Sequence, residues 1–84
     1  KVIILQNHGI LTTGPSVDIA LWFYMSMERC CQAQLMADAA GKTQLIPHDT
    51  AVKTRSFIAN DVAAWASFQP AFDMICKKEP DLFD

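Results

Sequence analysis

Residues 2–14 read Val-Ile-Ile-Leu-Gln-Asn-His-Gly-Ile-Leu-Thr-Thr-Gly, two short apolar runs on either side of an Asn-His-Gly tripeptide. No other stretch restricts the fold so strongly. The first run is continuous, apolar and β-branched, which predicts a strand over residues 2–6. Asn7 and Gly9 tolerate left-handed backbone, so residues 7–9 should form a turn. Residues 10–13 read as a second strand, and so short a loop makes the two antiparallel neighbours. Gly14-Pro15 ends that strand. A strand that is apolar throughout is normally covered on both faces, and its backbone groups need partners on both edges. Only one partner strand is evident. The run also follows directly on Lys1, with no turn, cap or initiator Met before it. The expectation is therefore that residues 1–84 are a C-terminal fragment of a single domain whose N-terminal part supplies most of the sheet.

The rest of the chain reads as helices. Ser16 is placed to cap a long helix from about Val17 to Ala40, with Asp18 favourable for its dipole and Gly41 at its C-terminal end. Ala20, Phe23, Tyr24, Met27, Cys31 and Leu35 form its apolar stripe, and Leu21, Trp22 and Met25 widen the stripe enough to predict a helix buried between layers. Residues 42–48 read as a loop. Asp49 could cap a short helix over residues 50–59, and Asn60 or Asp61 a third beginning at Val62. There Val62, Trp65, Phe68, Phe72, Ile75 and Cys76 keep helical spacing, with a kink or break expected at Pro70. Pro80 and the acidic end read as a tail or docking segment.

Composition excludes some classes. The formal charge is −2 with signs mixed along the chain, so the basic footprint of a nucleic-acid binder is absent. The apolar stretch from Val17 to Met27 falls short of the ~20 residues needed to span a bilayer. No signal peptide is visible. The three cysteines, Cys30, Cys31 and Cys76, include no CxxC pair. Adjacent helical thiols are badly placed to bridge, so all three read as small core side chains in a reducing cytoplasm.

His8 is the leading chemical candidate. A turn between two strands presents its imidazole, and the neighbouring Gly9 lets another group come close; neutral imidazole is the commonest metal ligand. A turn histidine bonded only to nearby backbone is the plain alternative. The remaining candidates are weaker. His48 reads as a solvated loop residue, Tyr24 as a core residue, and Glu28 as a polar or subunit contact.

The strand, the Asn7-His8-Gly9 turn, the second strand with Thr12-Thr13-Gly14, and the helix carrying Ala20-Leu21-Trp22 and Met27-Glu28-Arg29-Cys30-Cys31 together resemble the class II aldolase/adducin family over residues 1–41. A looser likeness extends to Trp65, Phe68-Gln69-Pro70 and the Glu79-Pro80-Asp81-Leu82 ending. The resemblance implies an α/β fold, the chain being the C-terminal part of a three-layer α/β/α sandwich with a mainly antiparallel sheet: a β-hairpin, a long helix and two shorter ones. It implies a divalent metal, usually zinc, held by three histidines, of which the turn histidine maps onto His8 while a His-x-His pair lies upstream. Asn7 and Gly9 would shape the turn. It implies lyase-type chemistry on small sugar or hydroxy-carbonyl substrates (aldol cleavage, epimerisation or decarboxylation) in a cytoplasmic homo-oligomer, often a tetramer. The alternative within the family is a non-catalytic, adducin-like scaffold. One imidazole cannot hold zinc, since a catalytic site takes about three protein ligands, so the fragment alone is expected to be inactive.

Overall fold

The computed structural model describes all residues 1–84. Two strands, β1 (Val2–Leu5) and β2 (Gly9–Thr12), are followed by helices α1 (Val17–Ala40), α2 (His48–Ile58) and α3 (Asp61–Lys78), and by a 3-10 turn at Pro80–Phe83. This is the expected α/β arrangement: an antiparallel hairpin, one long helix and two shorter ones. The strands pair Val2 with Thr12, Ile3 with Leu11, Ile4 with Ile10 and Leu5 with Gly9. Each strand is one residue displaced from its expected end. Gln6 belongs to the turn, and Gly9 rather than Thr13 belongs to β2, because the bend closes between Leu5 and His8.

Pleating puts Val2, Ile4, Ile10 and Thr12 on one face of the hairpin and Ile3, Leu5 and Leu11 on the other. The first face turns to α1, where Ile10 and Thr12 are half-buried. Ile3, Leu5 and Leu11 are exposed on the opposite face. The sheet is thus apolar on both sides, as the uninterrupted run in β1 implied.

The core is small. Ile19 and Phe23 of α1 meet Ala64 of α3, with Val2, Trp22 and Ala59 packed around them. Ala64 is fully buried, 0% exposed, and its single methyl lets α3 come close to α1. Phe68, one turn on, is also buried. α3 therefore packs through Ala64 and Phe68, not through the whole stripe read from its spacing. Val62 and Trp65 of that stripe face solvent. The stripe of α1 is corrected in the same way: Phe23 is buried, but Leu35 is exposed, and Tyr24, expected in the core, is 43% exposed. Cys30 is exposed and Cys31 and Cys76 are only half-buried, so the thiols are not core residues either.

The helix ends follow local chemistry with several departures. Ser16 occupies the N-cap position of α1 in extended conformation, but its hydroxyl bonds none of the free N–H groups. The Asp18 carboxylate accepts from the Ile19 N–H at 3.2 Å instead. Gly41 closes the helix by donating its N–H to the Ala37 carbonyl. α2 starts earlier than expected, with Pro47 at the cap position and His48 as the first helical residue. His48 is therefore not in a loop, and Asp49 is not the cap. Of the two expected candidates Asn60 caps α3, its Oδ1 accepting from the Ala63 N–H at 2.8 Å, and Asp61 rather than Val62 is the first helical residue. α3 continues unbroken through Pro70. That residue forfeits one backbone bond, while Phe68 before it is buried and Phe72 after it is partly exposed. The C-terminal segment is ordered, its Phe83 ring meeting that of Phe72 edge-on at 6.3 Å.

Candidate functional site

The turn at the hairpin tip is built by three local features. The His8 N–H donates to the Leu5 carbonyl at 3.2 Å, closing a tight bend over Gln6 and Asn7. Asn7 takes φ 55°, the left-handed region that asparagine enters most readily after glycine. Gly9 follows at φ 151°, a conformation strained for any residue with a Cβ. Asn7 and Gly9 thus bracket His8 with the backbone freedoms the turn requires.

His8 itself is exposed. Its ring nitrogens bond no group of this chain, and a Cβ added at Gly9 would meet nothing within 4 Å. The imidazole is unencumbered and space is open beside it. Nothing in the chain completes a site around it: no three His, Cys, Asp or Glu side chains come together anywhere. The chemistry of this donor suits one ligand position of a zinc site and no more. His48 is exposed at the start of α2, and Glu28 is exposed on α1 without an ion pair.

Residues that sequence reasoning passed over hold the hairpin to the helices. Thr12 Oγ1 donates to the Ala20 carbonyl of α1 at 2.9 Å, a half-buried contact. Its register, two residues from Ile10 on the helix-facing side, was the available signal. Gly14 lies so close to α1 that an added Cβ would stand 2.9 Å from Ile19 Cγ2 and 3.1 Å from the Ala20 nitrogen. The Lys1 ammonium donates to the Ala59 carbonyl at the end of α2, lies 3.9 Å from Asp61, and stands 5.0 Å above the Phe23 ring. Nothing in the sequence marked Lys1, because its partners are 58 and 60 positions away.

Two apolar grooves flank this frame. One, about 460 Å³, runs along the seam of β1 and α1 past Ile4, Met27, Cys31 and Leu35. The other, about 300 Å³, lies between α1 and α3 and is lined by Val17, Leu21, Phe68 and Phe72 with Asp18 and Gln69 at its rim. The Ser16 hydroxyl is the first cause that holds the Asp18 carboxyl below the usual carboxylate range. Desolvation opposes it, while the backbone N–H groups of Asp18 and Ile19 and the Gln69 amide add to it.

Residues 1–35 match the family described as Class II Aldolase and Adducin N-terminal domain. The decarboxylase NovR of Streptomyces niveus is 39% identical over 82 residues, which cover 98% of this chain and 30% of that protein. The 4-hydroxy-3-prenylphenylpyruvate oxygenase/4-hydroxy-3-prenylbenzoate synthase of Streptomyces roseochromogenus subsp. oscitans is 38% identical over the same shares. A putative aldolase class 2 protein of Pseudomonas aeruginosa is 34% identical over 58 residues, covering 68% of this chain and 22% of that protein. The chain spans about 30% of the length of the first two relatives. No solved structure matches it. No helix is long and apolar enough to cross a membrane.

Proposed function

The chain belongs to the class II aldolase/adducin family, and from that premise we propose that it is the C-terminal portion of a metal-dependent, aldolase-like lyase domain in which His8 is a metal ligand. The observation that carries this reading is the exposed, unbonded imidazole at a turn whose two special backbone positions are filled by Asn7 and Gly9. Two further histidines and an acidic base would come from residues preceding Lys1. The exposed apolar face of the hairpin at Ile3, Leu5 and Leu11 is where the remaining layer of a three-layer sandwich would pack.

His8 would contribute its imidazole from a turn closed by the Leu5–His8 backbone bond. Asn7 and Gly9 supply the backbone conformations that point the turn. With His8 as one of its ligands, a zinc or similar divalent ion would supply Lewis-acid chemistry toward a substrate oxygen. Among the reactions open to the family, the name of the Streptomyces niveus relative favours decarboxylation, and that of the Streptomyces roseochromogenus relative, an oxygenase of an arylpyruvate, favours a keto acid as the substrate class. The protein would work in the cytoplasm as a homo-oligomer, with active sites near subunit boundaries.

The test is the metal content of the full-length polypeptide and of its His8→Ala variant. The variant should lose bound zinc while melting in chelator within about a degree or two of the parent, because an exposed turn side chain stabilises the fold little. Unchanged zinc content in the variant removes His8 from the ligand set.

A further inference from the structure

We infer that the seam of α1 and α3 carries a binding site for a small aromatic carboxylate, in which Arg29, Ser26 and Ser67 hold the charged end. This site is independent of His8 and of any metal, and both of its walls belong to this chain. On α1, Ser26 follows Trp22 by four residues and Arg29 follows Ser26 by three, so one face of the helix carries all three. On α3, Ser67 and Pro70 are three residues apart and line the opposite wall. Met25 completes the apolar side of a cavity of about 250 Å³. It is smaller and more enclosed than the two apolar grooves. Core packing fixes the helices beside it, since Trp22 lies against the cluster of Ile19, Phe23 and Ala64.

The polar part of the lining suits an anion. Arg29 has no ion pair, the chain's one such pair being Lys1–Asp61. No Asp or Glu lines the cavity. Helical hydroxyls commonly turn back onto a preceding carbonyl, as Thr54 does to Thr50 and Ser56 to Lys53. Ser26 and Ser67 make no such bond, and both hydroxyls border the cavity. One guanidinium and two free hydroxyls therefore meet in one space. The planar fork of arginine matches the two oxygens of a carboxylate. The apolar part selects what the carboxylate is attached to. An indole and a thioether both make favourable contacts with an aromatic ring. Sites for drug-sized ligands occupy roughly 300–1,000 Å³, so a cavity below that range takes a ligand of about one ring. Apolar walls with a few convergent polar groups are the usual make-up of a small-molecule site.

Calorimetric titration of the full-length protein with benzoate tests the site, with benzamide as the uncharged ligand of the same shape. Benzoate should bind, and benzamide should bind at least about 10-fold more weakly, the difference expected of a charged hydrogen-bonded pair. Arg29→Met keeps an apolar stem and removes the charge, and it should weaken benzoate about 10-fold or more while leaving benzamide unchanged. Arg29 is exposed and unpaired, so this variant should fold as the parent does. Ser67→Ala should weaken benzoate about 2- to 10-fold, the range of one neutral hydrogen bond. His8→Ala should bind benzoate like the parent. No binding of benzoate up to about 10 mM, equal affinity for benzoate and benzamide, or parent-like benzoate binding in Arg29→Met each overturns the assignment. Benzoate binding lost in His8→Ala and kept in Arg29→Met also overturns it, because the carboxylate would then sit at the hairpin turn. Unchanged zinc content in His8→Ala, which removes His8 from the ligand set, leaves these expectations as they stand.

Discussion

At Gly14 the chain leaves β2 and passes against the first turn of α1, and the absent side chain is what allows it. A Cβ there would press on Ile19 Cγ2 at 2.9 Å and on backbone at 3.1 Å. The backbone atom cannot swing aside, so the helix start must move. Gly14→Ala should cost about 1–3 kcal/mol, read as a lower urea midpoint at unchanged slope. Gly9 differs: its surroundings are empty, and only φ 151° opposes a side chain. Asp18 supplies a pH signature. Its folded pKa is depressed, chiefly by the Ser16 hydroxyl. The stability it contributes is therefore complete above the unfolded carboxylate value near 3.8 and fades as pH falls through the lower folded value. Asp18→Asn should flatten the acid limb of a stability–pH curve below about pH 4 and leave its neutral limb parallel to the parent's. An identical acid limb in both proteins would show that the carboxylate has no such partners.

Among the elements, α3 shows best what local sequence signals can and cannot specify. Asn60 followed by an acidic first residue marked its start, and the side-chain bond to the Ala63 N–H confirms the cap. Asn60→Ala should cost about 1 kcal/mol and Asn60→Asp little, by thermal or urea unfolding. Equal stability of Asn60→Ala and the parent would mean that the free N–H groups are satisfied by water at no cost. Pro70 was read as a kink or break because it removes a bond within the helix. The helix persists with Phe68 buried before the proline and Phe72 meeting the Phe83 ring after it, contacts that a local rule does not count. The apolar spacing of α3 likewise gave a stripe, but only Ala64 and Phe68 are buried. Which part of an apolar stripe is covered depends on the neighbour it meets. The hairpin and its Asn7-His8-Gly9 turn were legible because turn chemistry is decided within a few residues. Thr12 and Lys1 were not, because their partners are distant in sequence.

As a molecule the chain is open. Its radius of gyration is 15.4 Å, against about 12 Å for a compact domain of this length. Its accessible surface is 7145 Å², where a closed monomer of this mass has about 5000 Å². Only four of 84 residues are buried. Exposed Ile3, Leu11, Leu35, Phe57 and Trp65 make a surface far more apolar than a free monomer normally carries. Prepared alone, the 84-residue chain should bind a hydrophobic dye and sediment in a concentration-dependent way. A sharp two-state melt with no dye binding and a monomeric profile would contradict the reading of the chain as part of a larger domain.

The residues alone determined the order of the elements, the position of the turn and the identity of its histidine, because strand, turn and cap preferences act within a few positions and are written there directly. The tertiary structure decided which apolar residues are covered, that Thr12 bonds α1, and that Gly14 must lack a side chain. Those outcomes depend on where separate segments come to rest against one another, through contacts too short-ranged to be felt until the chain has folded.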